Sequence, residues 1–330
     1  QANRRTTSTP SFMPPTVSLI IPTYNRGAHF RVALQSALQQ THRPLEIVIV
    51  DDGSTDATPD VVEALADDRV RYLRQPTNQG PNANWRAGMQ AATGAVFGFL
   101  ADDDRLHPEY VERLATPLFE DDRLAFSFCD HWVIDADGRR DPATTDATAH
   151  QYGRAALAEG RLENVQQPLL IDESVYIGAV LFRSEHVPPS YLQPAARSAM
   201  GGWILYRCAR SGRPGYYVDD RLMECRWEDG SVSRSPRWLD AMTEGNINRL
   251  RQMLDDAALD GLYPSLKEQL ASHLATRAHL RLIQGHRRQA RTQARKSFRL
   301  RPTFRAATTY LLTLGGRVGT VVAQKIRRVS

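Results

Sequence analysis

Three short apolar segments of the chain each end in polar side chains. These are Pro22, Thr23, Tyr24 and Asn25 after the first segment, Asp51 and Asp52 after the second, and Asp102, Asp103 and Asp104 after a later one. A carboxylate placed in this way can accept hydrogen bonds from a nucleobase or a ribose, and another can supply oxygen ligands to Mg²⁺ or Mn²⁺ that bridges a diphosphate. The five acids repel one another unless a cation lies among them.

Aspartate also forms turns and caps helix N-termini, which is the ordinary explanation for any one of these residues. That explanation is weaker for three strand ends that carry the same kinds of side chain. We therefore interpret the whole set as a candidate site for a metal-bound nucleotide.

Apolar and amphipathic stretches alternate from Val17 to about Ile134, ahead of and between these polar residues. Apolar runs predict strands at 17–23, 45–52, 70–75 and 95–104. Helical spacing and helix-start residues predict helices near 30–38, from Thr58-Pro59, over about 81–92 and after Pro108. Strands that alternate with helices indicate a mostly parallel sheet, in which ligands bind beyond the carboxyl ends of the strands.

The second half of the sequence loses this alternation. Residues 135–170 are polar and rich in turn formers, and strand-like patterns return at 174–183 and 216–228 with a helix near 200–210 between them. Beyond Pro236 the pattern is helical. The expected organisation is a mobile leader over 1–15, a first half of an α/β domain over 16–134, its second half over 135–235, and a basic helical region over 236–330.

Composition is that of an ordinary globular protein in water, with 42% hydrophobic residues, 24% charged residues and a mean hydropathy of −0.44. The cysteines Cys129, Cys208 and Cys225 form no C-x-x-C pair, so neither a zinc ribbon nor a disulfide framework is expected. The sequence contains no apolar run of the roughly 18 to 20 residues that a membrane helix needs, and its first residues do not resemble a signal peptide. These features predict a cytoplasmic protein.

Basic residues are concentrated towards the end of the sequence. Residues 271–330 contain 14 Lys and Arg and no Asp or Glu, whereas the first 270 residues have a net charge of −9. The acidic body argues against a nucleic-acid partner. The tail from about residue 285 is typical of a helix that binds an anionic membrane surface, or of a helical cap with a solvated basic face, and both interpretations stay open.

Three ordered motifs resemble family 2 glycosyltransferases with the GT-A fold. They are VSLIIPTYNR at 17–26, EIVIVDDGSTD at 46–56, and TNQGPNANWRAGMQAATG at 77–94, which runs into FGFLADDD at 97–104. The resemblance is close over about 16–134 and loose to about 235. It implies a Rossmann-like, mostly parallel sheet flanked by helices, with a nucleotide-sugar-binding half, an acceptor-binding half and an all-helical C-terminal extension.

The resemblance also implies roles for the strand-end residues. Thr23, Asp52 and Asp102 would hold the nucleotide, Asp51 would contact or support the base, and Asp104 would coordinate Mn²⁺ or Mg²⁺ on the diphosphate. The predicted nucleotide-sugar site further includes Pro22, Tyr24, Asn25, Asn78, Gly80, Arg86 and Asp103. Arg86 stands one place later than the arginine of the family, so an ordinary solvated helix arginine is an equal explanation for it.

The second half departs from the family pattern where the chemistry is expected. Relatives carry an acidic pair at the start of the helix after the acceptor strands, and one of these acids serves as the general base. This chain has Met200 and Gly201 there. The candidate bases are therefore Glu173 and Asp172, just ahead of a predicted strand. Glu228 replaces a histidine that binds the metal in some relatives, and its hard oxygen atoms make it a predicted metal ligand.

The resemblance thus implies an inverting glycosyltransferase that moves a sugar from a metal-bound UDP- or GDP-linked donor to an unidentified hydroxyl on a glycan, a lipid-linked molecule or a natural product. Peripheral attachment to the membrane would come through the basic tail. The missing acidic pair leaves open a protein that binds a nucleotide sugar without turnover. A sugar-phosphate nucleotidyltransferase is a further alternative, although residues 22–31 lack its glycine-rich basic loop.

Overall fold

The computed structural model describes residues 16–227, 236–315 and 321, so the leader expected over 1–15 and the predicted ligand Glu228 lie outside the described residues. Within them, nine strands form one sheet. Their bounds are β1 Val17–Thr23, β2 Leu45–Asp51, β3 Val70–Arg74, β4 Val96–Phe99, β5 Arg105–Leu106, β6 Phe126–Ile134, β7 Gly160–Leu162, β8 Val180–Arg183 and β9 Gly215–Arg226.

Ten α-helices accompany the strands over the same described ranges. They are α1 Gly27–Leu38, α2 Thr58–Glu63, α3 Pro81–Ala91, α4 Tyr110–Glu120, α5 Pro142–Gln151, α6 Met200–Ser211, α7 Pro236–Leu254, α8 Tyr263–Ile283, α9 Arg287–Leu300 and α10 Phe304–Leu314. A π-helical turn covers Gln167–Ile171, and 3₁₀ turns cover Arg154–Ala156, Pro189–Tyr191, Pro194–Ala196 and Ala257–Leu262.

The strands lie in the order β3-β2-β1-β4-β8-β6-β9-β5, and β7 pairs with β9. Strands β1 to β4, β6 and β9 run in one direction, whereas the short strands β5, β7 and β8 run against their neighbours. The α/β fold with a mostly parallel sheet is therefore confirmed, as a mixed sheet in which three short strands are antiparallel.

The register of the sheet brings the ends of β1, β2 and β4 to one edge. Thr23 pairs with Asp51, and Ile20 pairs with Phe99 at the end of β4. Strands β1 and β2 are buried almost throughout because helices cover both faces of the sheet, which explains their continuous apolar sequences. The polar residues that follow these strands must therefore emerge together at this edge, which we call the carboxylate rim.

Two hydrophobic cores lie on opposite faces of the sheet. Successive β1 residues alternate between them, with Leu19 packing towards α1 and α4 and Ile20 packing towards α3 and α6. The core that contains Ile20 continues through Leu250 of α7 and Leu270 of α8. The first two helices of the C-terminal region therefore share a core with the sheet.

Helices α9 and α10 form a hairpin on the outside of α8. The hydroxyl of Ser297 in α9 donates to the carbonyl of Ala271 in α8 at 2.7 Å, and Arg291 donates to the carbonyl of Thr313 in α10 at 3.1 Å. Over the part of the chain that is described, no helix has both the length and the apolar character required to cross a bilayer.

The sequence patterns were least informative between 135 and 183. The predicted strand at 174–183 is shorter, because the N–H of Ala179 closes a turn on the carbonyl of Tyr176 at 2.9 Å and pairing begins only at Val180. Helix α5 was not predicted, since its residues are mostly polar. Its start does carry a recognisable signal, because Asp141 accepts from the N–H of Thr144 at 3.0 Å.

Candidate functional site

Asn25 ties the loop after β1 to the loop after β2. Its backbone is left-handed, with φ of 53°, a conformation that non-glycine residues adopt mainly at tight or functional turns. Its N–H donates to Ser54 Oγ at 3.0 Å, and its side-chain oxygen accepts from the N–H of Thr55 at 2.8 Å. Of the neighbouring predicted residues, Thr23 is buried, Pro22 is half-buried and Tyr24 is exposed at the rim.

Asp51 lies beneath this platform with no exposed surface. One of its carboxylate oxygens accepts from the N–H of Ser54 at 2.8 Å, and the other accepts from the hydroxyl of Tyr72 at 2.6 Å. Burial and the charge of Asp51 raise the pKa of Tyr72, so that hydroxyl remains a donor. The structure thus places Asp51 as a support for the loop and for Tyr72.

Asp52 holds the loop between β3 and α3 over the carboxylate rim. Its two oxygens accept from the N–H groups of Gln79 at 2.7 Å and of Gly80 at 2.9 Å. Gly53 allows the close approach, because a Cβ there would lie 3.0 Å from the backbone carbon of Thr77. Burial raises the pKa of Asp52 despite these two donors. The predicted nucleotide contact therefore also shapes the loop.

The remaining predicted residues of this loop and of α3 have different surroundings. Asn78 is exposed, and its side-chain oxygen accepts from the N–H of Gly80 at 3.1 Å. Gly80 has φ of 85° and precedes the first residue of α3. Asn84 and Gly88 face the sheet, so Arg86 projects from the opposite, exposed side of the helix.

The acids after β4 lie beside an arginine from the loop after β1. Nη2 of Arg26 is 2.9 Å from an Asp103 oxygen, and Nε of Arg26 is 3.6 Å from an Asp102 oxygen. Both carboxylates remain partly exposed at the rim. Arg26 was not among the predicted site residues, although it is the first cation after the motif residues Pro22 to Asn25.

Asp104 is almost completely buried, with 1% of its surface exposed. One oxygen accepts from the backbone N–H of Arg226 at 2.9 Å, and the other accepts from the hydroxyl of Tyr176 at 3.0 Å. The side chain of Arg226 in turn donates to the carbonyl of Asp103 at 3.0 Å. The end of β9 and the segment before β8 therefore close around the acids that follow β4.

Burial raises the pKa of Asp102 to about 7 and that of Asp104 to about 8, and the charge of Asp103 raises both further. The negative charge of the cluster is thus poorly compensated by the protein alone, and a nearby cation would lower these pKa values.

The donor set of this cluster fits a hard divalent cation. Carboxylate oxygens are the preferred ligands of Mg²⁺ and are common ligands of Mn²⁺. Across residues 16–227 and 236–315, no group of three His, Cys, Asp or Glu side chains is arranged to hold a metal ion without further ligands. In many proteins Mg²⁺ is held by one or two carboxylates together with substrate phosphates.

The two candidate bases lie after the π-helical turn, in the acceptor-binding half. Asp172 accepts from the side-chain amide of Gln167 at 2.9 Å. Glu173 has a left-handed backbone, with φ of 52°, and its side chain is 47% exposed. A carboxylate oxygen of Glu173 lies 3.4 Å from Nη2 of Arg249 in α7. Glu173, rather than Asp172, is therefore exposed and held by a long-range contact.

Arg249 is buried beside the N-terminus of α6, where relatives carry the acidic pair. Its Nη1 donates to the carbonyl of Gly202 at 3.2 Å, and its Nε has no hydrogen-bond acceptor among the described residues. Burial lowers the pKa of Arg249, and the nearby Glu173 opposes that shift. A Cβ on residue 202 would lie 2.7 Å from the guanidinium, so Gly202 makes room for Arg249.

The segment after Glu173 connects α6 to the carboxylate rim. Ile177 packs against Gly201, where an added Cβ would lie 3.0 Å away, and Tyr176 donates to Asp104. Because Glu173 is only three residues before Tyr176, their Cα atoms are at most about 11 Å apart. The segment that carries Glu173 thus continues directly into residues that contact Asp104 at the rim and Gly201 in α6.

Comparison with known proteins finds relatives of the chain. The sequence model of the family described as Glycosyl transferase family 2 matches residues 18–183. The succinoglycan biosynthesis protein ExoO of Rhizobium meliloti is 30% identical over 277 residues, which cover 75% of this chain and 70% of that protein. The GalNAc(5)-diNAcBac-PP-undecaprenol beta-1,3-glucosyltransferase of Campylobacter jejuni is 43% identical over 95 residues, or 28% of this chain and 31% of that protein.

Solved structures also share the fold. A structure of S. aureus TarS 1–349 in complex with UDP-GlcNAc has a TM-score of 0.61 and 17% identity, covering 93% of this chain and 89% of that one. The mannosyltransferase PcManGT from Pyrobaculum calidifontis, in complex with GDP-Man and Mn²⁺, has a TM-score of 0.57 and 16% identity. The match covers 94% of this chain and 84% of that one. At these identities the likeness shows the fold.

Proposed function

Because the chain belongs to glycosyl transferase family 2, we propose that it transfers a sugar from a metal-bound nucleoside diphosphate sugar to an acceptor hydroxyl, with inversion at the anomeric carbon. Membership confirms the family predicted from the three motifs, and with it the GT-A fold and the class of enzyme, a glycosyltransferase. The sugar-phosphate nucleotidyltransferase considered from the sequence loses its support.

The observation that carries the proposal is the carboxylate cluster after β4. Asp102 and Asp104 have raised pKa values because they are largely removed from water next to Asp103, and Arg26 reaches Asp102 and Asp103. A divalent cation held there with a diphosphate would stabilise the charge that develops on the leaving group. We assign Asp104 to that cation, with Glu228 as a further predicted ligand, and Asp102 to the nucleotide.

The donor nucleotide would lie on the platform that joins the ends of β1 and β2. Asp52 fixes the 77–80 loop by two backbone hydrogen bonds, so the wall of that pocket exists before a ligand arrives. The structural neighbours were solved with UDP-GlcNAc and with GDP-Man and Mn²⁺. On this basis we infer a UDP- or GDP-linked sugar as donor and Mn²⁺ or Mg²⁺ as cofactor.

We assign the proton transfer to Glu173. In the proposed step the acceptor oxygen bonds to the anomeric carbon while the bond from that carbon to the diphosphate oxygen breaks. The acceptor proton passes to the Glu173 carboxylate, and the electron pair leaves with the nucleoside diphosphate. Glu173 suits the role because it is exposed, lies three residues before the tyrosine that contacts Asp104, and pairs with Arg249 beside the N-terminus of α6.

Arg249 supports this assignment as a positioning residue. A buried guanidinium beside a helix N-terminus is unfavourable unless an anion accompanies it, and Glu173 is the carboxylate that the structure supplies. The left-handed backbone of Glu173 turns its side chain towards Arg249. The chain thus retains a carboxylate near the site of the missing acidic pair, contributed by a different segment.

Calorimetry with UDP, GDP, UDP-GlcNAc and GDP-mannose tests the donor proposal. We expect one nucleotide series to bind in the presence of Mn²⁺ and to lose affinity when EDTA removes the ion. Equal affinity with and without the ion would overturn the metal assignment, and failure of both series would overturn the donor assignment.

The anomeric configuration of the released or transferred sugar, followed by NMR before mutarotation, tests inversion. The opposite configuration to that of the donor is expected, whereas the same configuration would contradict an inverting reaction. A nucleotide sugar that binds but is never consumed, with or without glycan and lipid-linked acceptors, would favour the binding protein without turnover.

A further inference from the structure

The outer face of α9 carries a dense set of cations that the proposed transfer does not use. Five basic side chains share this face and line one shallow groove with Thr292, namely Arg288, Arg291, Arg295, Lys296 and Arg299. The opposite face, with the small residues Ala290, Ala294 and Ser297, is buried. None of the five cations forms an ion pair with a carboxylate of the described chain, and no acid follows residue 270 in the sequence.

The neighbouring helix α10 presents apolar residues to solvent instead of polar ones. Phe304 is 86% exposed, Leu311 is 62% exposed and Leu314 is 55% exposed. Their spacing of seven and three residues places them on one side of the helix, opposite the buried Ala306 and Thr313. A solvated cap would have the reverse pattern, with polar residues on the outer face.

Exposed apolar side chains are unusually concentrated in this part of the molecule. Of the nine large hydrophobic side chains that are exposed among the described residues, six lie between Phe298 and Val321. Arg291, at the edge of the basic face, donates to the hydroxyl and to the carbonyl of Thr313, so α9 packs against the buried side of α10. The two neighbouring helices therefore expose two kinds of side chain, cations on α9 and apolar residues on α10.

We propose that α9 and α10 form a docking surface for an anionic phospholipid membrane. Cations next to protruding apolar residues match lipid phosphates next to the acyl boundary, which is the pattern of interfacial helices. Binding of a nucleic acid would explain the cations, but it would not explain why Phe304, Leu311 and Leu314 are exposed. The surface is separate from the carboxylate rim, and the proposal goes beyond the transfer reaction.

Co-sedimentation of the full chain with vesicles measures how tightly this surface binds lipid. Vesicles of phosphatidylcholine mixed with phosphatidylglycerol should bind the protein, and binding should weaken as NaCl is added. Vesicles of phosphatidylcholine alone should bind it poorly. Equal binding to both kinds of vesicle, or binding that is indifferent to salt, would overturn the electrostatic part of the proposal.

Two sets of variants separate the contributions of the two helices. Each cation near an anionic surface strengthens binding about 5-fold, so replacing four of them by Gln should weaken it by about 10²- to 10³-fold. The replacements are R288Q, R295Q, K296Q and R299Q. Arg291 is left in place because it holds α10. The set F304S, L311S and L314S should weaken binding by about 10-fold or more while leaving its salt dependence unchanged.

A matched control changes the same net charge elsewhere on the surface. The exposed arginines Arg31, Arg123, Arg139 and Arg213 belong to the α/β domain, and their replacement by Gln should change vesicle binding by less than about 5-fold. An equal loss of vesicle binding in this control variant would show that the attraction is general to the protein's charge, and it would overturn the assignment to α9. Thermal unfolding and nucleotide affinity confirm that each variant is folded.

Competition between vesicles and transfer RNA tests whether the surface binds a nucleic acid instead of a membrane. If the RNA binds more tightly than the vesicles, and if the α9 replacements abolish its binding while the α10 replacements have no effect, the surface is a nucleic-acid site and the membrane proposal is wrong. If vesicle binding is lost in both variant sets and RNA competes weakly, the membrane proposal holds.

Discussion

The carboxylate rim and the segment around Glu173 are built in opposite ways. At the rim Asp51, Asp52 and Asp104 are buried, whereas Asp102 and Asp103 keep part of their surface exposed. Around Glu173 the acid is exposed and the arginine is buried, with 3% of the Arg249 side chain exposed. Buried negative charge therefore predominates at the rim, and a buried positive charge lies beneath Glu173.

On the proposed function, the two regions should respond differently to ligands. A cation at the rim would relieve the repulsion among Asp102, Asp103 and Asp104, so donor binding and catalysis would depend on the same residues. Glu173 already accompanies Arg249, so changes there should alter the chemical step more than donor binding.

The largest effect should come from Asp104→Asn. The amide keeps the size of the side chain and can still accept from the N–H of Arg226, but it offers the cation one neutral oxygen. Loss of several kcal/mol of metal-assisted stabilisation corresponds to a fall of about 10⁴-fold in kcat/KM, accompanied by loss of the Mn²⁺-dependent part of donor affinity. Steady-state kinetics and calorimetry with UDP or GDP measure both.

An exposed acid away from the rim provides the control for that variant. Asp137 pairs with Arg139 at the surface, and Asp137→Asn should leave kcat/KM and donor affinity unchanged. Mn²⁺-dependent donor affinity that persists in Asp104→Asn would contradict the assignment of Asp104 to the cation.

The next largest effect should come from Glu173→Gln. The amide cannot take the acceptor proton, so turnover should fall by about 10²- to 10⁴-fold while donor affinity stays nearly the same. Asp172→Asn is the matched control, because its neighbour Gln167 can still hydrogen-bond to the new side chain. A loss below about fivefold in Glu173→Gln would remove this residue from the mechanism.

Local sequence signals located most elements over 16–134, although the strand predicted at 95–104 ends at Phe99. Apolar runs identified β1 and β2, helix-start residues identified α2, and the acids that follow β2 and β4 indicated the rim. These features could be predicted because strand direction and register place residues that are far apart in sequence at one edge. The strand predicted at 174–183 was too long at its start, because pairing in the short antiparallel strand β8 begins only at Val180.

Arg249 could not be found in the same way. It lies 76 residues after Glu173, and its neighbours in sequence show only that it belongs to a helix. The one local signal is Gly202, since a glycine in the first turn of a helix often makes room for another group. Tyr176 and Arg26 were missed for the same reason, because each acts through a contact with a distant residue.

A smaller effect is expected from Arg249→Lys and Arg249→Gln. Without the guanidinium, Glu173 loses its partner and turns more freely, so Arg249→Gln should lower kcat by about 10- to 100-fold with little change in the KM for the donor. Lysine keeps the charge and should restore part of kcat. If both variants lower stability and donor affinity together, Arg249 has a structural role only.

Asp52→Asn should have a more modest effect, confined to the binding of the donor. The amide nitrogen cannot accept from the N–H of Gln79 or Gly80, so the 77–80 loop loses one of two hydrogen bonds. We expect a stability loss of about 1–3 kcal/mol and a rise in donor KM of about 10-fold, with kcat little changed. A fall in kcat alone would place Asp52 in the chemical step and contradict its positioning role.

The smallest effect is a pH dependence of stability in the metal-free protein. The folded-state pKa values of Asp102 and Asp104, about 7 and about 8, exceed the value of about 4 for an unfolded aspartate, so the folded protein binds more protons and its stability falls as pH rises from about 4 to about 8. Burial lowers the pKa of His131 to about 4, below its unfolded value, so this residue removes stability as pH falls below about 6.5.

Two aspartates outweigh one histidine between about pH 4 and 6.5, so the protein without Mn²⁺ should lose stability as pH rises from about 4 to 8. The part of this loss between pH 6 and 8 should be on the order of 3 kcal/mol, or a few degrees in Tm. Asp104→Asn should flatten the fall, whereas His131→Phe, which retains the ring contact with Tyr176, should steepen it below about pH 6.5 because it removes the opposing slope. Because a cation at the rim would compensate the acids, adding Mn²⁺ with the bound nucleotide should also flatten the fall. A fall that Asp104→Asn leaves as steep as before would show that the rim acids are already compensated, and the contrast between the rim and the segment around Glu173 would fail.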